Sequence, residues 1–290
     1  MDIRTKKKIE KIMRYIILIP ATIIILFPIY WMVITSVKPP EEWTPTPTNP
    51  RLIPTRITFD NYVFLFAPFG VMETFAQFRE TIHQPLMSSL ILSGSATVLA
   101  LVIGTCAAYA MSRYKAGGEF APFQLLMFRM FPPIAIIVPI MILYSMLRWL
   151  DTAHGMIIFY TVVNMPFVIW LMKSFFDDIP KDIDEAAMLD GCSPPQVFFK
   201  VILPLVKPGI AVTALFIFIM CWSDFLGALV LTYRYWLTLP IALSKYQGLF
   251  GYLYGPMAAT GVIAAVPCMV IGIIIQKYLV RGFTFGAVKR

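Results

Sequence analysis

Six stretches of the chain are apolar enough, and long enough, to cross a bilayer as helices. A bilayer core of ~30 Å requires ~20 apolar helical residues. Four of the stretches carry no charge, whereas the third contains Arg129 and the fifth contains Asp224. The stretches are Tyr15–Val37, Leu86–Ser112, Phe123–Leu147, Gly155–Met172, Gly209–Tyr233 and Ala258–Gln276. We therefore expect an all-α integral membrane protein with six transmembrane helices.

The composition indicates that lipid is the solvent of these helices. The 290 residues are 59% hydrophobic and 14% charged, and the mean hydropathy is +0.75. A soluble globular domain carries about 25% charged residues and about 45–50% apolar residues. The same values exclude a disordered chain and a small disulfide scaffold.

The net charge of +8 reflects topology and not nucleic-acid binding. Lys and Arg concentrate in the cytoplasmic segments of membrane proteins. Most of the 24 basic residues fall at the two chain ends and in the loops after the second and fourth predicted helices. Both termini are therefore predicted to be cytoplasmic. The predicted organisation is a basic tail (1–14), a first helix (15–37), an external loop (38–85), a five-helix core (86–280) that includes the cytoplasmic loop 173–207, and a C-terminal tail (281–290).

The cytoplasmic loop 173–207 is unusually long for a connection between membrane helices and carries two helix patterns. The first runs from about Pro180 to Asp190, with acidic residues at its start, and Gly191 can provide a left-handed stop. The second begins where Ser193 and Gln196 form a capping box. A helix bundle does not need such a loop for stability, so we expect a docking surface for a soluble partner, with structural packing alone as the alternative.

Polar residues within the predicted helices are the candidates for contact with a solute. Ionisable residues in a membrane are costly and often functional. A carboxylate beside aromatic rings suits hydroxyl-rich solutes, although a structural hydrogen bond is an equal alternative for Asp224, and packing against a partner is one for Arg129. The helical rise puts Arg129 and Asp224 at different depths, so no direct ion pair is expected. The candidates are Asp224, Trp222, Phe225, Asn164 and Arg129.

The sequence contains no pattern typical of a catalytic or metal site. Its two histidines do not form an H-E-x-x-H motif, its four cysteines lack metal-ligand spacing, and no G-x-x-x-x-G-K-[ST] phosphate loop occurs. We therefore expect neither enzymatic activity nor a bound metal.

Several motifs together resemble one family. Glu185-Ala186-Ala187, three residues, Gly191, nine residues, Val201, one residue and Leu203-Pro204 resemble the EAA loop of ABC importer permeases, which usually have Ile where this chain has Val201. Trp222-Ser223-Asp224-Phe225 is similar to the Trp-Asn-Glu-Phe of the carbohydrate branch, in which Leu150-Asp151-Thr152 also recurs. The C-terminal sequence from Gln276 to Lys289 resembles the tail of the maltose-type second permease subunit.

The resemblance implies a permease subunit of a type I ABC importer in a bacterial inner membrane. With a second permease it would form the pathway for a carbohydrate or polyol that an external binding protein delivers. Two ATPase subunits would bind ATP and Mg²⁺, so this chain would hold no cofactor of its own, and nucleic acid would not be a partner. A self-contained secondary transporter is the alternative, and it would predict inverted repeats.

The resemblance also assigns residues to the ATPase contact. The coupling residues would be Glu185, Ala186, Ala187, Asp190, Gly191, Leu203 and Pro204. The tail residues that would reach the ATPase subunits are Gly286, Ala287, Val288 and Lys289.

Overall fold

The structure, a computed structural model, describes residues 3–44, 51–66, 81–248 and 251–286, with side chains at 11–44, 51–66, 81–246 and 253–276. The helices in these ranges are α1 (Ile3–Ser36), α2 (Asp60–Phe66), α3 (His83–Tyr114), α4 (Ala121–Phe128), α5 (Pro133–Leu147), α6 (Ala153–Asp177), α7 (Asp182–Leu189), α8 (Pro194–Gln196), α9 (Leu203–Leu205), α10 (Lys207–Trp222), α11 (Leu226–Leu231), α12 (Leu239–Ser244) and α13 (Tyr254–Gly286). A π-helical turn covers Val197–Ile202, and a 3₁₀ turn covers Pro40–Glu42. Two antiparallel two-residue strands, β1 (Gln247–Gly248) and β2 (Gly251–Tyr252), pair Gln247 with Tyr252. The all-α prediction is confirmed, apart from this short ladder.

The chain divides into two units. The smaller unit comprises Met1–Ile82 with Leu243–Ala265, and the larger unit comprises His83–Ala242 with Val266–Arg290.

The core of the larger unit is built on the close pairing of α3 and α6. Ala96, Ala100 and Ala108 of α3 are completely buried, which lets the two helices approach closely. At Gly104 a Cβ atom would lie 2.5 Å from Cγ1 of Val168 on α6, so this position requires glycine. α10 packs against both helices and completes the core.

Four of the six predicted spans correspond to continuous helices in the described residues. Four segments are long and apolar enough to cross a membrane, at Lys11–Ser36, His83–Tyr114, Ala153–Asp177 and Tyr254–Gln276. The number rises to six in the described residues if each of two bent helix pairs is one span. The pairs are Ala121–Phe128 with Pro133–Leu147, and Pro194–Leu205 with Lys207–Trp222, so the second pair shares only residues 209–222 with the fifth predicted span.

The third predicted span, Phe123–Leu147, is not one continuous helix. α4 and α5 meet at an angle of 82°, with residues 129–132 between them. Pro132 adopts φ −58° and ψ 124°, outside the helical region. The cause is the Pro132-Pro133 pair, because a proline lacks the N–H group that continues a helix and disfavours helical geometry in the residue before it.

The fifth predicted span, Gly209–Tyr233, is also interrupted. α10 ends at Trp222, and α11 begins at Leu226. Asp224 lies in the break, where its Oδ2 accepts the N–H of Ala228 at 3.0 Å. A carboxylate that binds an N–H group in the first turn of a helix favours a new helix start, so the acid separates two helices and does not sit inside one.

The smaller unit contains α1 and the start of the predicted external loop. Glu42 is 3% exposed; its carboxylate accepts hydrogen bonds from the hydroxyl and N–H of Thr55 and pairs with Nη1 of Arg51 at 2.5 Å. These bonds, with the Thr55 hydroxyl first, hold the pKa of Glu42 below its usual value. The described part of the loop around Glu42 is therefore folded. The sequence predicts a short surface helix within Phe59–Arg79; α2 lies in that range, and residues 67–80 lie outside the described part.

Candidate functional site

The loop 173–207 forms two helical segments that meet at Gly191. α7 ends at Leu189, and Gly191 adopts φ +90°, the left-handed conformation that favours glycine. The N–H of Gly191 donates to Met188 O and that of Cys192 donates to Ala187 O, both at 3.0 Å. The predicted stop therefore lies where the sequence puts it. We call residues 173–207 the helical loop.

The second segment of the helical loop starts at the predicted capping box. The N–H of Ser193 donates to Oε1 of Gln196 at 2.9 Å, and Pro194 occupies the first turn. The segment continues through the π-helical turn and α9, and the direction changes only at Val206, before α10. The α8–α9 segment and α10 differ in direction by 74°.

Most residues that the resemblance assigns to coupling lie on the outer side of the helical loop. Glu185, Ala186, Asp190 and Gly191 are exposed, and so is Pro204. The tip of α7 also presents apolar side chains to solvent, since Leu189 is 89% exposed and Met188 is 46% exposed. An exposed apolar tip with a polar rim is typical of a protein interaction site. Ala187 is buried, and Leu203 is half-buried against the core.

A buried ionic junction holds the inner side of α7, and sequence reasoning missed it. Oδ2 of Asp184 lies 3.0 Å from Nη2 of Arg113, and Oδ1 accepts the hydroxyl of Tyr109 at 3.0 Å. Arg113 also donates to the carbonyls of Phe176 and Ile179, both at 3.1 Å. The Arg113 side chain is only 6% exposed and that of Asp184 10%. The sequence marks Arg113 only as one of the basic residues in the loop after the second predicted helix, because no local pattern links it to Asp184.

A cavity of about 120 Å³ adjoins this junction. Residues of α3, α7 and α8 line it, and Lys181 and Glu185 contribute charged groups. Both Asp184 and Glu185 line this cavity, although the residue Asp184 is buried and the residue Glu185 is exposed.

The break between α4 and α5 places Arg129 against α6 and α10. Its Nη1 donates to Oδ1 of Asn164 at 3.3 Å, and its Nη2 lies 3.0 Å from Sδ of Met220. The guanidinium also lies over the ring of Phe167, 5.2 Å from its centre. Arg129 remains half-exposed, so part of its donor capacity is turned away from the protein.

Asn164 and Asp224 belong to the same polar network. Asn164 Nδ2 donates to Tyr160 O at 2.8 Å and lies 3.4 Å from Sγ of Cys221. The hydroxyl of Tyr160 lies 3.3 Å from Oδ2 of Asp224. Three candidates from the sequence are therefore connected through Tyr160, which the sequence did not single out. Among the described residues, Arg129 and Asp224 form no ion pair with each other, as the depth argument predicted. We call Arg129, Tyr160, Asn164, Cys221 and Asp224 the polar cluster.

The other candidates differ in exposure. Trp222 is 5% exposed and stacks on Phe218, with ring centres 5.5 Å apart, whereas Phe225 is 42% exposed. Gly286 ends α13, and Ala287, Val288 and Lys289 lie outside the described residues. Within the described ranges, no group of three or more His, Cys, Asp or Glu side chains is arranged to hold a metal ion.

Comparison with known proteins gives a consistent family. Residues 100–285 match the family model described as "Binding-protein-dependent transport system inner membrane component". The trehalose transport system permease protein SugB of Mycobacterium tuberculosis is 34% identical over 91% of this chain and 92% of its own length. The trehalose/maltose transport system permease protein MalG of Thermococcus litoralis is 32% identical over 97% of this chain and 99% of its own length.

Solved structures show the same fold. A chain of a bacterial ABC transporter involved in the import of the acidic polysaccharide alginate superimposes with a TM-score of 0.73. The match covers 94% of this chain and 97% of that chain, at 21% sequence identity.

Proposed function

The chain belongs to the family of binding-protein-dependent transport system inner membrane components, and we propose that its helical loop and its polar cluster have separate roles in import. It is a permease subunit of an ABC importer in the inner membrane, a transport subunit and not an enzyme. In our proposal the helical loop binds an ATPase subunit and the polar cluster faces the solute pathway. The complete importer contains a second permease, two ATPase subunits that bind ATP and Mg²⁺, and an external solute-binding protein.

The observation that carries the coupling role is the combination of an exposed tip with a rigid attachment. Glu185 and Leu189 are turned to solvent, while Asp184 and Ala187 anchor the opposite side of α7. A docking element transmits force only if it does not bend, and a capped, anchored helix meets that condition. Gly191 fixes the turn between the two helical segments. The tail from Gly286 to Lys289 is proposed as a further ATPase contact on the resemblance alone.

Recovery of the partners from native membranes tests this role. We expect the tagged chain to recover an ATPase and a second permease after gentle solubilisation, as identified by mass spectrometry. Glu185→Lys reverses an exposed charge on the docking face, so it should reduce recovery of the ATPase while the second permease is retained. Recovery of the tagged chain alone, or with copies of itself, would contradict the importer assignment of these residues.

Glu119→Lys is the matched control for that experiment. Glu119 is an exposed acid on the other predicted cytoplasmic loop, where it pairs with Lys115. Because the same charge is reversed away from α7, ATPase recovery should equal that of the unaltered chain. Equal losses in both variants would indicate a general effect of positive charge and remove the support for a docking role of Glu185.

The proposed cargo is a carbohydrate or a related polyol. The support is the polar cluster, whose half-exposed guanidinium and carboxylate can bind hydroxyl groups, with the exposed ring of Phe225 nearby in sequence. The names of the sugar permeases to which the chain is similar agree with this class. Trp222 is buried in this structure, so we assign it a packing role beside the pathway.

Ligand binding by the importer's external solute-binding protein, purified on its own, tests the cargo class. We expect trehalose or maltose to raise its melting temperature, and glycerol 3-phosphate to leave it unchanged. A rise in melting temperature with glycerol 3-phosphate alone would indicate that the cargo is a phosphorylated polyol and not a neutral sugar. The coupling proposal would be unaffected by that result.

A further inference from the structure

One buried guanidinium joins three helices at the same end of the larger unit. Arg113 belongs to the last turn of α3, and it donates to Phe176 O in the last turn of α6 and to Ile179 O just beyond it. The same group pairs with Asp184 of α7. Its positive charge lies where the carbonyls at the C-terminal end of α6 favour a cation. The contact therefore connects two spanning helices with the helical loop.

The turn of α3 that carries Arg113 makes further contacts of the same kind. Ser112 Oγ donates to Oδ1 of Asp177 at 2.6 Å, and Tyr109 donates to Asp184. By contrast, the covalent connection from α6 to α7 is the short segment 178–181, which contains a proline. α7 is thus attached to α3 through side chains as well as to α6 through the backbone.

Stability alone does not explain a buried pair of this kind. Removing two charges from water costs free energy, and apolar residues of similar volume often stabilise a protein equally well. The guanidinium contributes directional contacts, because its planar fork fixes the direction of several hydrogen bonds at once. Arg113 therefore fixes the direction of the contacts that join α7 to the C-terminal ends of α3 and α6.

We infer that Arg113 is a positioning residue that carries a displacement of α7 to the spanning helices α3 and α6. The inference rests on the proposed docking of an ATPase on α7. In this role Arg113 touches neither nucleotide nor solute. Its loss should leave the ATPase bound and active while movement of the ATPase no longer reaches the opposite end of the larger unit.

Hydrogen–deuterium exchange of the purified native complex, with and without AMP-PNP, tests the inference. The readout is the exchange of segments 83–92 and 226–236, at the end of the larger unit opposite to α7. In the unaltered complex we expect a nucleotide-dependent difference in exchange there. In Arg113→Ala we expect normal ATPase recovery and ATP hydrolysis, but a difference reduced about tenfold, within the range that substitutions along a coupled network produce. Arg113→Lys should restore part of it, because an ammonium group replaces the charge without the planar fork.

Lys115→Ala is the matched control, because Lys115 forms an exposed pair with Glu119 two residues beyond Arg113. It should behave as the unaltered complex. A normal nucleotide-dependent difference in Arg113→Ala would overturn the inference. Loss of ATPase recovery in that variant would also overturn it, since Arg113 would then shape the docking surface. If Arg113→Ala does not fold, Arg113→Lys is measured in its place. A nucleotide-dependent difference equal to that of the unaltered complex, or a loss of ATPase recovery, would then overturn the inference. An unaltered complex that binds no ATPase, or shows no nucleotide-dependent difference, would contradict the proposed function itself.

Discussion

At one end of the larger unit the carboxylate of Asp184 is held by side chains, whereas at the opposite end the carboxylate of Asp151 is held by backbone N–H groups. Asp151 is 6% exposed and accepts hydrogen bonds from the consecutive N–H groups of residues 233–236, at 3.4, 3.1, 2.9 and 3.0 Å. Its own N–H donates to Leu231 O at 2.8 Å. Gln84 Nε2 adds bonds to the carbonyls of Arg234 and Tyr235.

The hydrogen bonds of Asp151 and those of Asp184 hold different parts of the structure in place. Asp151 determines the backbone of one loop, and the side chains of Tyr233, Arg234 and Tyr235 remain exposed. Asp184 instead determines how one helix sits on another, because its partners Tyr109 and Arg113 belong to α3. The first arrangement shapes a surface that a partner could meet directly. The second links elements that have to move together, and this is why the inference about transmission concerns Asp184 and Arg113.

The largest effect is expected from removing one member of the buried ion pair. Asp184→Ala leaves the Arg113 guanidinium without its counter-charge and the Tyr109 hydroxyl without its acceptor. Breaking a buried pair in this way costs about 3–5 kcal/mol. Unfolding of the purified chain in mixed micelles, titrated with SDS, measures the loss. Asp190→Ala, an exposed acid at the end of the same helix, should leave the transition unchanged. Equal transitions for the two variants would show that the junction contributes no stability.

A smaller and more local effect is expected at Asp151. Asp151→Asn keeps the shape of the side chain but leaves one acceptor oxygen for four N–H groups and turns an amide NH₂ group towards donors. An unsatisfied buried N–H costs about 1–3 kcal/mol. The amides of residues 233–236 should exchange about tenfold faster or more, since 1.4 kcal/mol corresponds to tenfold. The α3 segment 109–114 should not change.

Arg234→Ala distinguishes a backbone-held loop from one held by side chains. Only the N–H and carbonyl of Arg234 are bonded to Asp151 and Gln84, so exchange of residues 233–236 should be unaltered. Faster exchange in this variant would mean that side chains, and not the Asp151 carboxylate, hold the loop.

The elements that could be predicted from the sequence are those specified by residues close to one another along the chain. Long apolar runs identify α1, α3, α6 and α13, and the helical loop follows from Gly191 and the capping box at Ser193. Hydropathy did not show the breaks at residues 129–132 and 223–225, because it measures composition and not backbone direction. The Pro132-Pro133 pair is present in the sequence, but a proline pair alone does not distinguish a kink within a span from a break between two helices.

The contacts of the candidate sites could not be predicted from local pattern. The sequence marks Asp151 only as part of a recurring Leu-Asp-Thr piece, yet its hydrogen bonds go to residues far along the chain. The same holds for Arg113 with Asp184, and for Tyr160, which connects Asn164 and Asp224. Each of these contacts depends on how α3, α5, α6 and α10 pack, and one sequence does not determine that register.

The smallest losses of stability are expected from removing two tyrosine hydroxyls, one near Asp184 and one near Asp151. Tyr109→Phe removes one hydroxyl from the Asp184 junction and keeps the ring contact with Phe198, whose ring centre is 4.7 Å away. Tyr144→Phe removes a hydroxyl that donates to Gly155 O at 3.1 Å, near Asp151. A single hydrogen bond contributes about 0.5–1.5 kcal/mol, so both variants should be mildly destabilised.

The two tyrosine variants should differ in additivity. Combined with Asp184→Ala, Tyr109→Phe should cost almost nothing further, because the acceptor of its hydroxyl is already gone. Combined with Asp151→Asn, Tyr144→Phe should add its full cost, because the two groups share no hydrogen bond and independent sites add within about 0.3–0.5 kcal/mol. SDS titration of the four single and two double variants gives both coupling energies. If the losses of unfolding free energy in Tyr109→Phe and Asp184→Ala simply add in the double variant, the bonds of the junction act independently. That result would contradict the view that the Asp184 side chains act as one unit, in contrast to the backbone-held loop at Asp151.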